Sequence, residues 1–105
     1  MDKMILAETA GEIAIIKKLE DSNWRVRKIQ KDGVINAPIE AEKDNLRIVF
    51  QVKTAITPNT PPDVSTEEIS NIKQLAKELD ANPYVAKVWL NDELFNTQIE
   101  LNKLN

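Results

Sequence analysis

Gln51 and Lys53 stand two apart in an otherwise apolar stretch, LRIVFQVKTA at residues 46–55. In a β-strand that spacing puts both side chains on one face. An amide oxygen can ligate a hard cation, and an ammonium group is a fixed positive charge beside it. Two carboxylates, Glu12 and Glu40, are candidates to join them. The 105 residues include neither histidine nor cysteine. Zinc sites of the usual kind, Ser-His-Asp triads and thiolate chemistry are therefore excluded. Any metal would be held by oxygen ligands, which favours Mg²⁺, Mn²⁺ or Ca²⁺.

The elements that must position these residues can be read from periodicity. Thr9 and Glu12 have the spacing of a capping box, and Ile13, Ile16 and Leu19 recur at helical intervals, which predicts a helix from about residue 10 to 21. At about 100° per residue, Glu12 falls within the apolar stripe of that helix. An inward carboxylate is costly unless a neighbouring lysine or a hydrated cation pairs with it. Trp24 and Val26 alternate with Arg25 and Arg27 in a strand over residues 24–30, whose alternation slips at Lys28-Ile29. Asp32-Gly33 reads as a turn. Ile35, Ala37, Ile39 and Ala41 alternate in a second strand, which Pro38 makes either an edge strand or a strand with a break. Asp44-Asn45 fits a two-residue hairpin loop before the strand that carries Gln51 and Lys53. In that strand Ile48, Phe50 and Val52 face one way, and Arg47, Val49, Gln51 and Lys53 the other.

Residues 55–65 form a proline-rich loop. A second capping box, Ser65 to Glu68, opens a helix over residues 66–80 with the apolar stripe Ile69, Ile72, Leu75, Ala76 and Leu79, stopped by Asn82-Pro83. A strand follows over residues 84–90, and the tail fits either a strand or a helix. Strand, helix, strand implies a parallel crossover. The expected fold is α/β, a mixed central β-sheet flanked by helices, in a single domain spanning residues 1–105.

A hairpin closed by Asp44-Asn45 sets Lys43 opposite Leu46, Glu40 opposite Val49, Pro38 opposite Gln51 and Asn36 opposite Lys53. Glu40 is then a diagonal neighbour of Gln51 on one face. With these residues in that order, GEIAIIKKLEDSNWRV followed by a hairpin ending in IVFQVKTA resembles the PD-(D/E)xK nuclease superfamily over roughly residues 9–90. The archaeal Holliday-junction resolvases and the Mrr-type restriction nucleases are the similar members, and the Mrr type shares the Gln-x-Lys variant. The resemblance implies a restriction-endonuclease-like fold and a metal-dependent DNA endonuclease acting on branched or foreign DNA. It implies Glu12 as the helix acid and Lys53 as the catalytic lysine. It implies Mg²⁺ or Mn²⁺ held by Glu40, Gln51 and the backbone carbonyl of Val52, with DNA as partner and a homodimer as assembly. One departure matters. The family's second-strand acid should lie opposite Gln51, where this chain has Pro38, flanked by Asn36 and Glu40. Without an acid there, the same fold implies a catalytically inactive nucleic-acid-binding, regulatory or interaction domain.

Simpler readings of the same residues stand beside these. Glu12 also fits a plain capping residue, Lys53 the exit of a strand, and Glu40 an ordinary surface acid. Arg25, Arg27, Lys28 and Lys31 beside Trp24 form a basic strip that suits phosphate contacts and equally suits a solvated strand face. The net charge of −3 provides no global basic field. No stretch has membrane-spanning length and no leader is visible, which places the expected protein in the cytoplasm without a membrane partner.

Overall fold

The computed structural model describes residues 3–29 and 37–104. Helix α1 (Lys3–Asp21) is followed by strands β1 (Arg25–Lys28), β2 (Ile39–Lys43) and β3 (Leu46–Ile56), helix α2 (Thr66–Leu79), and strands β4 (Asn82–Leu90) and β5 (Asn96–Lys103). One five-stranded sheet holds them in the order β1-β2-β3-β4-β5. All neighbours are antiparallel except β3 and β4, which are parallel and joined across α2. The architecture is thus the mixed α/β sheet expected, with β3 at its centre. No helix among the described residues is long and apolar enough to cross a membrane.

The hairpin is a consequence of its loop. Asp44 takes a left-handed φ of 55°, which Asp tolerates, and the two-residue turn fixes Lys43↔Leu46, Glu40↔Val49 and Ile39↔Phe50. Pro38 acts as a break rather than an edge marker. Strand β2 begins at the next residue and lies inside the sheet, although the Pro38 carbonyl still accepts the Ile29 N–H at 2.9 Å. The Asp32-Gly33 turn, Lys31, Ile35 and Asn36 lie outside the described residues.

The pleat of β3 divides the molecule. Ile48, Phe50 and Val52 join Ala7, Ile15 and Leu19 of α1, together with Ile39, Ala41, Ala86, Val88 and Leu90, in the larger core. Val49, on the opposite face, packs with Ile72 and Ala76 of α2 in a smaller one. Each helix therefore covers its own face of the sheet. This allocation decides which polar residues can meet.

Three local expectations differ from the structure. Helix α1 begins near Lys3, seven residues ahead of the expected start near residue 10. Met4, Leu6 and Ala7 are strong helix formers, and Ala7 is fully buried against the sheet. Thr9 is consequently interior to the helix. Its hydroxyl donates to the Ile5 carbonyl four residues back, at 3.0 Å, so it does not cap Glu12. Helix α2 does open on the Ser65–Glu68 capping box. Its end, however, is set by Asp80 in a left-handed conformation, and Asn82-Pro83 starts β4. The tail is a strand, β5.

Candidate functional site

Strand β3 sends Gln51 and Lys53 to the face covered by α2. On neighbouring β2, Glu40 and Glu42 project to that same face, and on β1 so do Arg25 and Arg27, because Arg25 pairs with Glu42 and Arg27 with Glu40 in register. The structure thus gathers five sequence-predicted residues, Glu40, Gln51, Lys53, Arg25 and Arg27, on one side. Lys28 and Glu12 lie on the other. Lys28 is in register with buried Ile39, and α1 covers that face.

Glu12 is buried, as its place in the apolar stripe requires. Its Oε1 accepts a hydrogen bond from Lys28 Nζ at 3.0 Å. Its Oε2 is buried without a hydrogen-bond partner among the described residues. Of the two partners that would relieve an inward carboxylate, a lysine or a cation, the chain supplies the lysine.

Glu40 is similarly engaged. Arg27 Nη2 reaches its Oε1 at 3.1 Å, and Arg47 Nε lies 4.0 Å from its Oε2. Its side chain is only 12% exposed, so the charge depends on these guanidinium groups. Arg47 continues the ladder. Its Nη2 donates to Glu42 Oε2 at 3.2 Å, and its Nη1 donates to the Leu79 carbonyl at the end of α2 at 2.9 Å. Arg25 Nη2 donates to the remaining Glu42 oxygen at 2.9 Å. The hydrogen bond from Arg47 and the charge of Arg25 hold the Glu42 carboxyl below the ordinary glutamate range. Arg25, Glu42, Arg47, Glu40 and Arg27 form one alternating ladder across β1, β2 and β3.

Lys53 meets Glu68, from the first turn of α2, through its ammonium group. Glu68 has two tasks. One oxygen accepts the Ser65 N–H at 2.9 Å to complete the capping box, and the other takes Lys53. Burial pushes the Glu68 carboxyl upward, but the bonds from Lys53 and Ser65 outweigh it and leave it below its ordinary value. Gln51 is half-buried between Val49 and Lys53, in register with Val85 of β4. Val52 lies beyond the last β2 partner of β3, which is Phe50.

Sequence reasoning placed Arg47 on the Gln51 and Lys53 face without giving it a role, missed Glu42 and Lys87, and read Glu68 only as a cap. Lys87 carried a legible signal. It interrupts the apolar strand YVAKVWL as Lys53 interrupts its own.

Among the described residues the donor set does not fit a divalent ion. A hard cation needs about six oxygen ligands, with carboxylates free to supply charge. Here both oxygens of Glu40 face arginines, Glu68 holds a lysine and a backbone N–H, and Glu12 lies across the sheet on its own lysine. Among the described residues no three carboxylates converge to hold a metal.

Neither a family model nor a curated protein matches the sequence. Among solved structures, the chain is similar to the Holliday junction resolvase Hjc of Archaeoglobus fulgidus, from a hyperthermophilic archaeon. The TM-score is 0.62 at 20% identity, over 77% of this chain and 68% of that one. The likeness is one of fold. The mixed sheet with its two helices has the resolvase and restriction-endonuclease-like arrangement that the sequence resemblance implied.

Proposed function

We propose that this chain is a nucleic-acid-binding domain on the resolvase-like fold that holds DNA without hydrolysing it. The observation that carries the reading is the state of Glu40. The position where the resemblance requires an acid holds Pro38, and the adjacent carboxylate accepts a hydrogen bond from Arg27 with the Arg47 guanidinium 4.0 Å from its other oxygen. A carboxylate neutralised by the chain's own cations has little charge left to offer a metal. A DNA partner is supported by the fold shared with a protein whose name states its action on Holliday junctions. Arg25 and Arg27 add to that support, because their side chains remain 81% and 69% exposed on the sheet edge despite their ion pairs. Guanidinium groups in that position can fork onto phosphate oxygens.

Cleavage remains the second reading, favoured by one observation. Gln51 and Lys53 do share a face, as a Gln-x-Lys site would need. In that reading the metal-dependent endonuclease would require Glu40 to leave its arginines.

Binding is tested by fluorescence anisotropy on a four-way junction and a linear duplex of equal length, across a salt series. Affinity should fall steeply with salt through counterion release. Arg25→Ala/Arg27→Ala should weaken binding about tenfold on both DNAs and lower the slope of log K against log salt by up to about two. An absence of binding at low salt, or a double variant that binds like the parent, would remove DNA from the reading.

A further inference from the structure

Lys53 and Lys87 are register partners on the adjacent parallel strands β3 and β4. Their side chains leave the sheet on the same face, covered by α2. Like charges side by side on a sheet repel, and the chain between the two strands supplies a carboxylate to each. Glu68 meets Lys53, and Asp63 accepts from Lys87 Nζ at 2.7 Å. The two carboxylates are held very differently. Glu68 is tied into the helix cap through Ser65, and its side chain is 30% exposed. Asp63 sits in the loop ahead of α2 with its side chain 90% exposed, and among the described residues Lys87 alone holds it. The lysines are the reverse, at 18% and 20% exposed, so the sheet fixes them in place.

The pair stands in the carboxyl-terminal halves of the two parallel strands β3 and β4. Trp89 lies two residues beyond Lys87 on the same face and is half-buried. Two fixed ammonium groups side by side suit the oxygens of a phosphate, and a neighbouring indole suits a base. We propose that Lys53 and Lys87 form a phosphate-binding pair, and that Asp63 occupies the Lys87 half of it in the free protein as an internal competitor. The phosphate belongs either to a nucleic-acid backbone or to a free polyphosphate. The first source rests on the function proposed above, and the second does not.

Asp63→Asn keeps the shape of the loop and removes the competing charge. Binding of inorganic tripolyphosphate is followed by titration calorimetry and binding of a twelve-nucleotide oligothymidylate by anisotropy, with thermal melts confirming that each variant is folded. Asp63→Asn should tighten binding by up to about fivefold, the scale of one exposed ion pair. Lys87→Gln should weaken it about tenfold. Asp63→Asn/Lys87→Gln should bind like Lys87→Gln alone, because the competitor acts only through that lysine. Glu67→Gln makes the same charge change on an exposed residue that meets neither lysine, and should leave affinity unchanged. The inference is overturned if Asp63→Asn binds neither probe more tightly, if its gain persists without Lys87, or if Glu67→Gln gains as much. A response to tripolyphosphate alone keeps the pair and removes nucleic acid as its ligand. Oligonucleotide binding with neither probe responding to Asp63 removes the pair and leaves the DNA reading intact.

Discussion

Gly11→Ala should destabilise the protein by about 3 kcal/mol, the upper end of what overpacking a tight contact costs. An alanine Cβ at this position would stand 2.2 Å from Thr54 Oγ1 and 3.0 Å from its Cγ2. In an open helix interior the same change would gain up to about 1 kcal/mol, since glycine is a poor helix former. Here the clash decides the sign. Thr54 is 6% exposed on the central strand, and three of its side-chain atoms lie within 3.1 Å of the added Cβ. The glycine is what lets α1 lie directly on β3, and that seating fixes Glu12 on the side away from Gln51 and Lys53. Thr54→Ala removes both offending atoms and leaves only the Thr54 Cβ position, 3.1 Å away. Gly11→Ala/Thr54→Ala should therefore recover much of the loss relative to its Thr54→Ala parent. Urea unfolding measures all four corners of this cycle. A Gly11→Ala protein as stable as the parent would mean that α1 is not seated so closely.

Lys28→Ala should cost about 2 kcal/mol, because it strands the Glu12 charge in the interior. Breaking a fully buried pair typically costs about 3–5 kcal/mol. The lower figure applies here because the Lys28 side chain is 43% exposed and water can reach part of the site. Replacing both residues with leucine should restore stability to within about 1 kcal/mol of the parent, since apolar groups of similar volume satisfy the same space without desolvating a charge. Chemical denaturation of the two single variants and the double variant checks this. If Lys28→Ala is neutral, Glu12 has another partner and its ion pair is not what keeps it inward.

How far the sequence reached depended on how local each determinant was. The two-residue Asp44-Asn45 loop fixed the hairpin register, so Glu40 opposite Val49 was legible from a turn alone. The Ser65–Glu68 capping box likewise placed the start of α2 to the residue. Alternation in β3 separated its faces correctly, because both are covered and their apolar sets are distinct. The start of α1 was harder. A threonine followed by a glutamate three residues on looks the same at a cap as in the middle of a helix, and only the burial of Ala7 distinguishes the two. Hardest was the pairing of helices with faces. An inward-facing Glu12 is evident from helical periodicity, but periodicity does not say which side of the sheet the helix covers. The arginine–glutamate ladder was hidden for a related reason. Glu42 and Arg47 face each other across the hairpin, yet each read alone is an ordinary charged residue on a strand.

We propose that this fold keeps its carboxylates for its own cations and so binds DNA without cutting it. The most direct test is a cleavage assay with protein in excess over a labelled four-way junction and a labelled linear duplex, in Mg²⁺ and separately in Mn²⁺, with bound DNA verified in the same samples. The expected result is DNA bound and every strand intact in both metals. Metal-dependent strand scission by the parent protein, lost in Lys53→Ala while binding persists, would contradict that proposal and establish a working nuclease site built on Gln51 and Lys53.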